Sequence, residues 1–262
     1  MSAGAPVRRG ESRALLLRRF PYGESSLVVH ALTPGRGRLA LLAKGAYRPT
    51  SGFFGALDLF DTLEIRWTSR GGQELGNVNA VSVVTRRRAI TGDLERYRVS
   101  VAWLELANLA AREGHEETGL YRWLEGGLEL LEHGASPGVV AVAQDLAFLH
   151  QVGLAPALTT CASCGERPAE RRSARFSLAS GGRLCERCER ARRGSGTVED
   201  LPLNVVKVAE SLLAATPAVL QHTRIEPGLL ARVRVFVERF LHYHLELPLR
   251  ARRARSPSLT SR

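Results

Sequence analysis

All four cysteines of the chain occur in two pairs, Cys161-x-x-Cys164 and Cys185-x-x-Cys188, with twenty residues between the inner two. This spacing is close to that of four-cysteine zinc modules. A two-residue spacer lets one tight turn direct two sulfur atoms at the same ion, and Zn²⁺ accepts four thiolates in a tetrahedron. Because four thiolates leave no coordination position for water, we expect one structural Zn²⁺ and no catalytic metal.

Two other states of these cysteines are possible from the sequence: a pair of disulfides, or thiols that are unliganded or redox-active. Disulfides persist in oxidising compartments, but residues 1–13 lack the apolar core of a signal peptide. No apolar run reaches the length of about 18 residues that a membrane-spanning helix needs. The sequence therefore favours the metal site and a cytoplasmic location.

Positive charge is concentrated in two separate parts of the chain. The net charge of +11 divides into +8 over residues 1–88, −6 over 89–160 and +9 over 161–262. A concentrated positive surface attracts polyanions and releases their counterions on binding. Nucleic acid is the expected partner, and an anionic membrane is the weaker alternative because no amphipathic anchor accompanies the charge.

The first third of the chain is typical of a small β-barrel. Short apolar segments alternate with turn residues such as Pro21-Tyr22-Gly23 and Pro34-Gly35-Arg36-Gly37. Five such segments fit an OB-fold, the five-stranded barrel that binds oligonucleotides, but counting strands does not separate it from an SH3-like barrel. The predicted strands are 13–19, 26–33, 37–44, 57–67 and 75–84.

Helical periodicity follows the barrel and continues on both sides of the cysteine pairs. Asp93 is placed to cap one helix, Ser136-Pro137 to open another, and Gly153 to end it. A hairpin is expected between the cysteine pairs, with two further helices over about 203–215 and from Glu226-Pro227 to about 245.

The expected fold class is therefore α+β: an N-terminal five-stranded OB-fold barrel, then an α-helical domain that carries an inserted four-cysteine zinc module. The charged, apolar-poor ends are expected to be disordered. The predicted segments are a disordered N-terminus (1–12), the barrel (13–88), the helical domain (89–160 and 200–248), the zinc module (161–190) and a basic disordered tail (249–262).

Cations at strand ends and turns of the barrel are candidate nucleic-acid contacts, with Tyr22 and Tyr47 nearby. Single-strand binding uses this combination, because aromatic faces stack on bases while cations follow the backbone. For each residue, an ordinary solvated charge or a packed side chain is the alternative. The candidates are Arg18, Arg19, Arg36, Arg38, Lys44, Tyr47, Arg48, Arg86, Arg87 and Arg88.

Several blocks occur in a recognisable order: Phe20-Pro21-Tyr22-Gly23-Glu24-Ser25-Ser26-Leu27, Thr33-Pro34-Gly35-Arg36-Gly37, Leu42-Ala43-Lys44-Gly45-Ala46, Phe53-Phe54-Gly55-Ala56-Leu57, the cysteine pairs, and Arg239-Phe240-Leu241-His242-Tyr243-His244-Leu245. Together they resemble the bacterial recombination mediator family RecO over roughly residues 12–250.

The resemblance implies an OB-fold, a helical domain, a zinc module and a role in DNA repair without catalysis. Members bind single- and double-stranded DNA and anneal complementary strands. They act with the partner RecR, contact the C-terminal tail of single-strand-binding protein, and help to load the recombinase RecA. A cytoplasmic, nucleoid-associated protein is expected. No phosphate-binding loop or HExxH motif argues for an enzyme.

A zinc-ribbon, OB-fold regulator that binds RNA or a transcription complex is the alternative. It would share the barrel, the charge and the cysteines, but it would not anneal DNA strands. A nucleotide-metabolising enzyme would need a polar pocket that the sequence does not indicate. Annealing of complementary oligonucleotides separates the first two hypotheses.

Overall fold

The computed structural model describes residues 7–53, 55–70, 75–169, 171–191 and 198–245. The chain divides into two compact units, the first running to Glu132 and the second starting at His133. Among the helices in these ranges, none combines the length and the apolar character needed to cross a bilayer.

The first unit begins with a closed barrel of five strands, arranged in the order β1-β2-β3-β5-β4. Strand β1 pairs with both β2 and β4, while β3 and β5 run parallel where Leu41 and Leu42 meet the start of β5. This is the five-stranded Greek-key closure of an OB-fold, which confirms the predicted fold. The strands are β1 (Val7–Tyr22), β2 (Ser26–Thr33), β3 (Gly37–Ala43), β4 (Thr62–Arg70) and β5 (Gly76–Thr85).

Alternation along the strands separates the filled interior of the barrel from its outer face. On β2, Leu27, Val29 and Ala31 are buried, while the residues between them are partly exposed. Gly10 on β1 leaves room for the Trp67 ring, because a Cβ there would lie 2.3 Å from the ring. The interior is therefore closed by close packing, and ligands of the barrel must use its outer face or its ends.

Two strand boundaries differ from the sequence prediction. Residues 7–12, which we expected to be disordered, extend β1 because they pair with β4 in register from Val7 opposite Arg70. Residues 1–6 lie outside the described residues. Strand β4 begins at Thr62 rather than at residue 57, since Phe60 has a φ of +72°. A bulky residue in the left-handed region interrupts an extended strand.

Three helices complete the first unit: α1 (Arg88–Thr91), α2 (Leu94–Ala110) and α3 (Thr118–Glu132). The Asp93 carboxylate accepts the Arg96 N–H at 2.8 Å, so the predicted cap of α2 is confirmed. Trp103 and Trp123 pack edge to face across α2 and α3, with ring centroids 6.4 Å apart. These helices bury their apolar faces, and α2 packs against β1.

The turn between β2 and β3 is tied to the connection between α2 and α3. The Glu117 N–H donates to the Pro34 carbonyl at 2.7 Å, and the Arg38 N–H donates to the Arg112 carbonyl at 3.1 Å. Gly37 has a φ of +62°, and a Cβ at this position would lie 2.0 Å from the Arg112 oxygen. Only glycine therefore allows the turn to approach the helical connection this closely.

The second unit packs helices beside a three-stranded sheet of order β7-β6-β8. Phe176 of the central strand contacts Phe236 and Phe240 of the last helix, with ring centroids 4.9 and 6.0 Å apart. The elements are α4 (Pro137–Gln151), β6 (Ser173–Ser177), β7 (Gly182–Arg183), α5 (Glu186–Ala191), β8 (Val198–Pro202), α6 (Leu203–Leu213), α7 (Pro217–His222) and α8 (Pro227–Leu245).

Most of the predicted elements after the barrel are present, with some differences. Pro137 opens α4, although the Ser136 side chain makes no capping hydrogen bond. Gly153 follows the end of α4 with a φ of +76°, and β6 and β7 form the expected hairpin. Strand β8 and helix α7 were not predicted. The helices expected over 89–160 divide between the two units, and the predicted tail 249–262 lies outside the described residues.

Replacing Gly37 by alanine should lower the free energy of unfolding by about 2 kcal/mol or more, because a Cβ is disfavoured at positive φ and would clash with the Arg112 carbonyl. Urea unfolding followed by circular dichroism measures the change. Gly35→Ala is the matched control, since nothing lies within 4 Å of a Cβ there. Equal midpoints for both variants would contradict the turn geometry.

Candidate nucleic-acid interface and metal centre

The outer face of the first three strands carries a regular arrangement of cations and rings. Phe20 of β1 lies opposite Val28 of β2, which lies opposite Leu42 of β3, so these three form one row across the sheet. Arg18 and Tyr22 occupy the rows on either side of it. All five side chains are at least partly exposed, and on β2 and β3 they alternate with residues that fill the barrel.

The turn after β3 lies against the turn between β1 and β2. The Gly45 N–H donates to the Ser26 hydroxyl at 3.2 Å, and the Tyr47 N–H donates to the Ser25 carbonyl at 2.9 Å. This positions the exposed Lys44 and Arg48 at the same end of the barrel as Tyr22. Candidates that lie far apart in sequence, from the first strand and from this turn, are thus brought together.

Four of the ten candidates, Arg87 among them, are occupied by contacts inside the protein. Arg19 pairs with Asp58 at 2.7 Å and donates to the Leu57 carbonyl. Arg38 donates to the Asn108 carbonyl at 3.1 Å and reaches Glu113 at 3.3 Å, which holds the barrel to α2. Arg86 lies 3.7 Å from Asp61 and donates to the Gly55 carbonyl. A phosphate at any of these residues would have to compete with an existing acceptor.

The remaining exposed cations are available. Within the described ranges, no carboxylate oxygen lies within 4.0 Å of their charged nitrogens, so their charge is balanced only by solvent and counterions. They are Arg18, Arg36, Lys44, Arg48 and Arg88. Sequence reasoning did not single out Phe20, which the alternation Arg18-x-Phe20-x-Tyr22 along one strand could have revealed.

Arg87 is a structural residue, and its prediction as a nucleic-acid contact is wrong. Its side chain is 1% exposed and forms an ion pair with Glu129 at 3.0 Å. The guanidinium also donates to the Phe60 carbonyl at 2.7 Å and to the Thr62 hydroxyl at 3.1 Å. In the sequence, nothing distinguishes Arg87 from Arg86 and Arg88. In the structure Arg86 and Arg88 are exposed, whereas Arg87 between them is buried.

The Arg87 contacts continue into a buried polar network between β4 and α3. The Thr62 hydroxyl donates to Glu125 at 3.1 Å, and the Tyr121 hydroxyl donates to the same carboxylate oxygen at 3.1 Å. Burial and the neighbouring Glu125 carboxylate raise the pKa of Tyr121, so this phenol stays protonated. The network joins β4 to α3. Because these side chains hydrogen-bond to one another, they are not available to bind a ligand.

The four cysteines lie together as four free thiols, so the disulfide alternative is not what the fold presents. Their sulfur atoms all lie within 4.8 Å of one another, and the Cys164 and Cys185 sulfurs are 3.7 Å apart. Four metal–sulfur bonds of about 2.3 Å arranged as a tetrahedron separate the sulfurs by about 3.8 Å. The cluster therefore has the geometry of a closed four-thiolate metal site, and it fits Zn²⁺.

The β6–β7 hairpin holds the two cysteine pairs together. The Ala162 N–H, inside the first pair, donates to the Arg183 carbonyl at 2.8 Å, two residues before Cys185. Gly182 allows the hairpin to touch the preceding segment, because a Cβ there would lie 2.6 Å from Ala157. Both turns are thus positioned by backbone contacts that do not involve a metal.

The thiols of the cluster have opposite tendencies to ionise. Burial raises the pKa of Cys161, but N–H groups of Cys185, Ser163 and Cys164 directed at its sulfur outweigh this and lower the pKa to about 6. The Glu166 N–H lowers the pKa of Cys164, but burial and the three other sulfurs raise it to about 11. A bound dication would favour the thiolate at all four positions.

The second unit also contains an open groove of about 320 Å³ beside α8. Its floor is apolar, with Phe176, Leu201, Val235 and Phe236 among the lining residues, and Arg232 and Arg239 lie at its edge. Arg239 makes a two-pronged ion pair with Glu199, one of whose contacts is 2.7 Å long. The groove thus combines apolar surface with positive charge.

Comparison with known proteins gives consistent matches over both halves of the chain. Residues 8–87 match the family model described as recombination protein O N terminal, and residues 91–253 match the one described as recombination protein O C terminal. A DNA repair protein RecO from Anaeromyxobacter dehalogenans is 33% identical over 250 residues, covering 94% of this chain and 95% of the relative. Proteins of the same name from Streptomyces griseus and Myxococcus xanthus are each 30% identical and cover 91% of this chain, and 95% and 93% of their own lengths.

The cysteine cluster should bind one metal ion per chain, because its four sulfurs form a single closed site. Elemental analysis of protein purified under reducing conditions measures this content. Cys161→Ser should abolish it, since Cys161 is the buried ligand. Ser163→Ala, between the first pair, is the matched control and should retain the ion. Metal-free wild-type protein, unable to take up added Zn²⁺, would contradict the site.

Arg87→Met should lower the free energy of unfolding by on the order of 2 kcal/mol, because it leaves the buried Phe60 carbonyl and Thr62 hydroxyl without their donor and removes the ion pair with the half-exposed Glu129. Arg88→Ala, which removes an exposed charge that has no carboxylate partner among the described residues, should change it by less than about 1 kcal/mol. Denaturant unfolding measures both. An unchanged Arg87→Met midpoint together with lost DNA binding would reverse the assignment of Arg87 as structural.

Proposed function

The chain belongs to the recombination protein O family, and on that premise we propose that it is a DNA repair protein that mediates recombination by binding single- and double-stranded DNA and annealing complementary strands. The curated relatives are named DNA repair proteins, and the chain covers nearly their whole length. The proposal for annealing goes further than those names and depends on the charge of the barrel.

The observation that carries the proposal is the set of exposed cations at one end of the barrel that have no carboxylate partner among the described residues. Lys44 and Arg48 lie on the turn after β3, and Arg18 lies on the adjacent face of β1. OB-folds bind oligonucleotides on such faces and loops. These cations pair with no carboxylate among the described residues, so a phosphate can bind them without breaking an ion pair. Binding then releases the counterions of the phosphate.

Annealing then requires no covalent step. Two strands repel each other through their phosphates, and neutralisation by a basic surface reduces this repulsion and raises the rate of encounter. The second part of the chain, with a net charge of +9 over residues 161–262, is a further source of positive charge for the other strand. We therefore propose that the protein is not an enzyme.

The metal that fits the cysteine cluster best is one structural Zn²⁺, held by Cys161, Cys164, Cys185 and Cys188. With four thiolates bound, it would have no open position for water or substrate. Its contribution would be to lock the two turns on either side of the β6–β7 hairpin. We expect the protein to act in the cytoplasm, at the nucleoid.

The proposed partners follow from the family: RecR, the C-terminal tail of single-strand-binding protein, and RecA through loading. The groove beside α8 supports binding of the C-terminal tail of single-strand-binding protein. Its apolar floor would take apolar side chains, and Arg232 would attract an acidic peptide, whereas Arg239 would first have to leave its ion pair with Glu199. The residues that would contact RecR are not indicated by any single feature.

A regulator that binds RNA or a transcription complex is the competing function. It is compatible with the barrel and the cysteine cluster, and it predicts binding without annealing. Acidic charge on residues 89–160, net −6, gives this regulator a surface for a basic protein partner. The two functions therefore differ in one measurable activity.

The test is the rate at which complementary strands pair across a salt series, without nucleotide. We expect the acceleration to fall steeply with salt, because salt weakens the binding of DNA. Each phosphate contact on a single strand contributes about 0.7 to the slope of log DNA affinity against log salt concentration. Lys44→Ala and Arg48→Ala should each lower that slope by about this amount. Arg122→Ala removes the same charge from an exposed position on α3 and should leave the slope unchanged.

The same assay with strands coated by single-strand-binding protein tests the partner. Acceleration should persist with the intact coat protein and be lost when its C-terminal tail is deleted. Tight DNA binding that never accelerates pairing, on bare or coated strands, would reject annealing and favour the regulator.

A further inference from the structure

We propose that Phe20, Tyr22 and Tyr47 form a stacking surface for the bases of an unpaired nucleic-acid strand, which holds that strand with its base-pairing edges exposed. The inference rests on the proposed function in one respect, that nucleic acid binds the barrel. It goes further by naming aromatic residues as the contacts that distinguish a single strand from a duplex.

The three rings are exposed although nothing in the barrel requires aromatic residues there. Tyr22 is 57% exposed, Tyr47 49% and Phe20 36%. Phe20 and Tyr22 lie two residues apart on the outer face of β1, and the Tyr47 backbone is bonded to Ser25 in the turn that follows β1. The backbone positions of the three residues therefore follow one another from the outer face of β1 to the turn after β3.

The Phe20 ring is already held in a fixed orientation. The Arg18 guanidinium carbon lies 4.8 Å from the centroid of the ring. The His30 ring contacts Phe20 edge to face at 5.5 Å, and His30 Nδ1 lies 3.2 Å from the Asn108 side-chain oxygen. A ring that is oriented before binding loses little conformational freedom when a base stacks on it. Because the Arg18 guanidinium lies over one face of this ring, a base stacks either on the opposite face or on the guanidinium plane itself.

The charges around the strip select a polyanion as its occupant. Between residues 12 and 57 the sequence contains seven lysines and arginines, and Glu24 is its single acidic residue. Lys44 and Arg48 lie on the turn that carries Tyr47, and both are exposed. An apolar or basic protein segment would gain nothing from these cations, whereas a single strand offers bases to the rings and phosphates to the charges.

Contacts of this kind suit annealing better than hydrogen bonds to the bases would. Stacking engages the face of a base, which every base possesses, and is therefore tolerant of sequence. The edges that form Watson–Crick pairs stay free for a complementary strand. In a duplex the base faces are already stacked on one another, so the rings would contribute nothing to its binding.

The test compares three oligonucleotides of equal length: a thymidine strand, an abasic strand with the same phosphates, and a duplex. Wild-type protein should bind the thymidine strand more tightly than the abasic one. Phe20→Ala, Tyr22→Ala and Tyr47→Ala should each weaken thymidine binding by roughly 5- to 150-fold per lost stack, and leave abasic and duplex affinities within about 2-fold. Tyr22→Phe keeps the ring and should bind as wild type.

Tyr243→Ala, which removes a tyrosine of similar exposure (52%) from α8, is the matched control and should not change the preference for bases. Equal wild-type affinity for thymidine and abasic strands would overturn the stacking surface and leave the proposed DNA binding intact. Failure to bind any of the three oligonucleotides would instead refute the proposed function, and the stacking surface with it. Unfolding midpoints of the variants, measured in parallel, separate lost contacts from lost fold.

Discussion

A guanidinium with 1% of its side chain exposed lies where the last barrel strand meets the first helix. From there Arg87 reaches the loop before β4 through the Phe60 carbonyl, β4 through Thr62 and α3 through Glu129. Burying a charge costs several kcal/mol and is offset only when its partners are all in place. Loop, strand and helix must therefore form together. This requirement also maintains the unusual backbone of Phe60, whose carbonyl is one of the acceptors.

The same principle divides the arginines of the barrel by function. Where an arginine has acceptors inside the protein, as Arg38 has in Asn108 and Glu113, its charge contributes to packing the helices on the barrel. Where it has none, as for Arg48, its charge is available to a ligand. Net charge alone does not reveal this division, because both kinds contribute equally to the total. Functional charge is the part left over after the fold has used what it needs.

Sequence reasoning predicted features that depend on local chemistry and missed those that depend on distant partners. The cysteine spacing predicted the metal cluster and the turn residues predicted the number of barrel strands, because each signal lies within a few residues. The start of β1 was missed since residues 7–12 are polar and become a strand only by pairing with β4. The depth of Arg87 was missed because Thr62 and Glu129, which bury it, are distant in sequence.

Strand β1 pairs with both β2 and β4, and β4 is synthesised later than β2. Its second half meets β2 after a short turn, whereas Val7 must wait for Arg70. Until then the first half of β1 is an open edge, which can pair with other chains. Closing so long a loop is slow, because its entropy is lost before the contacts form. The barrel therefore closes only after β4 has been synthesised, and until then the first half of β1 depends on its own polar residues to remain unpaired.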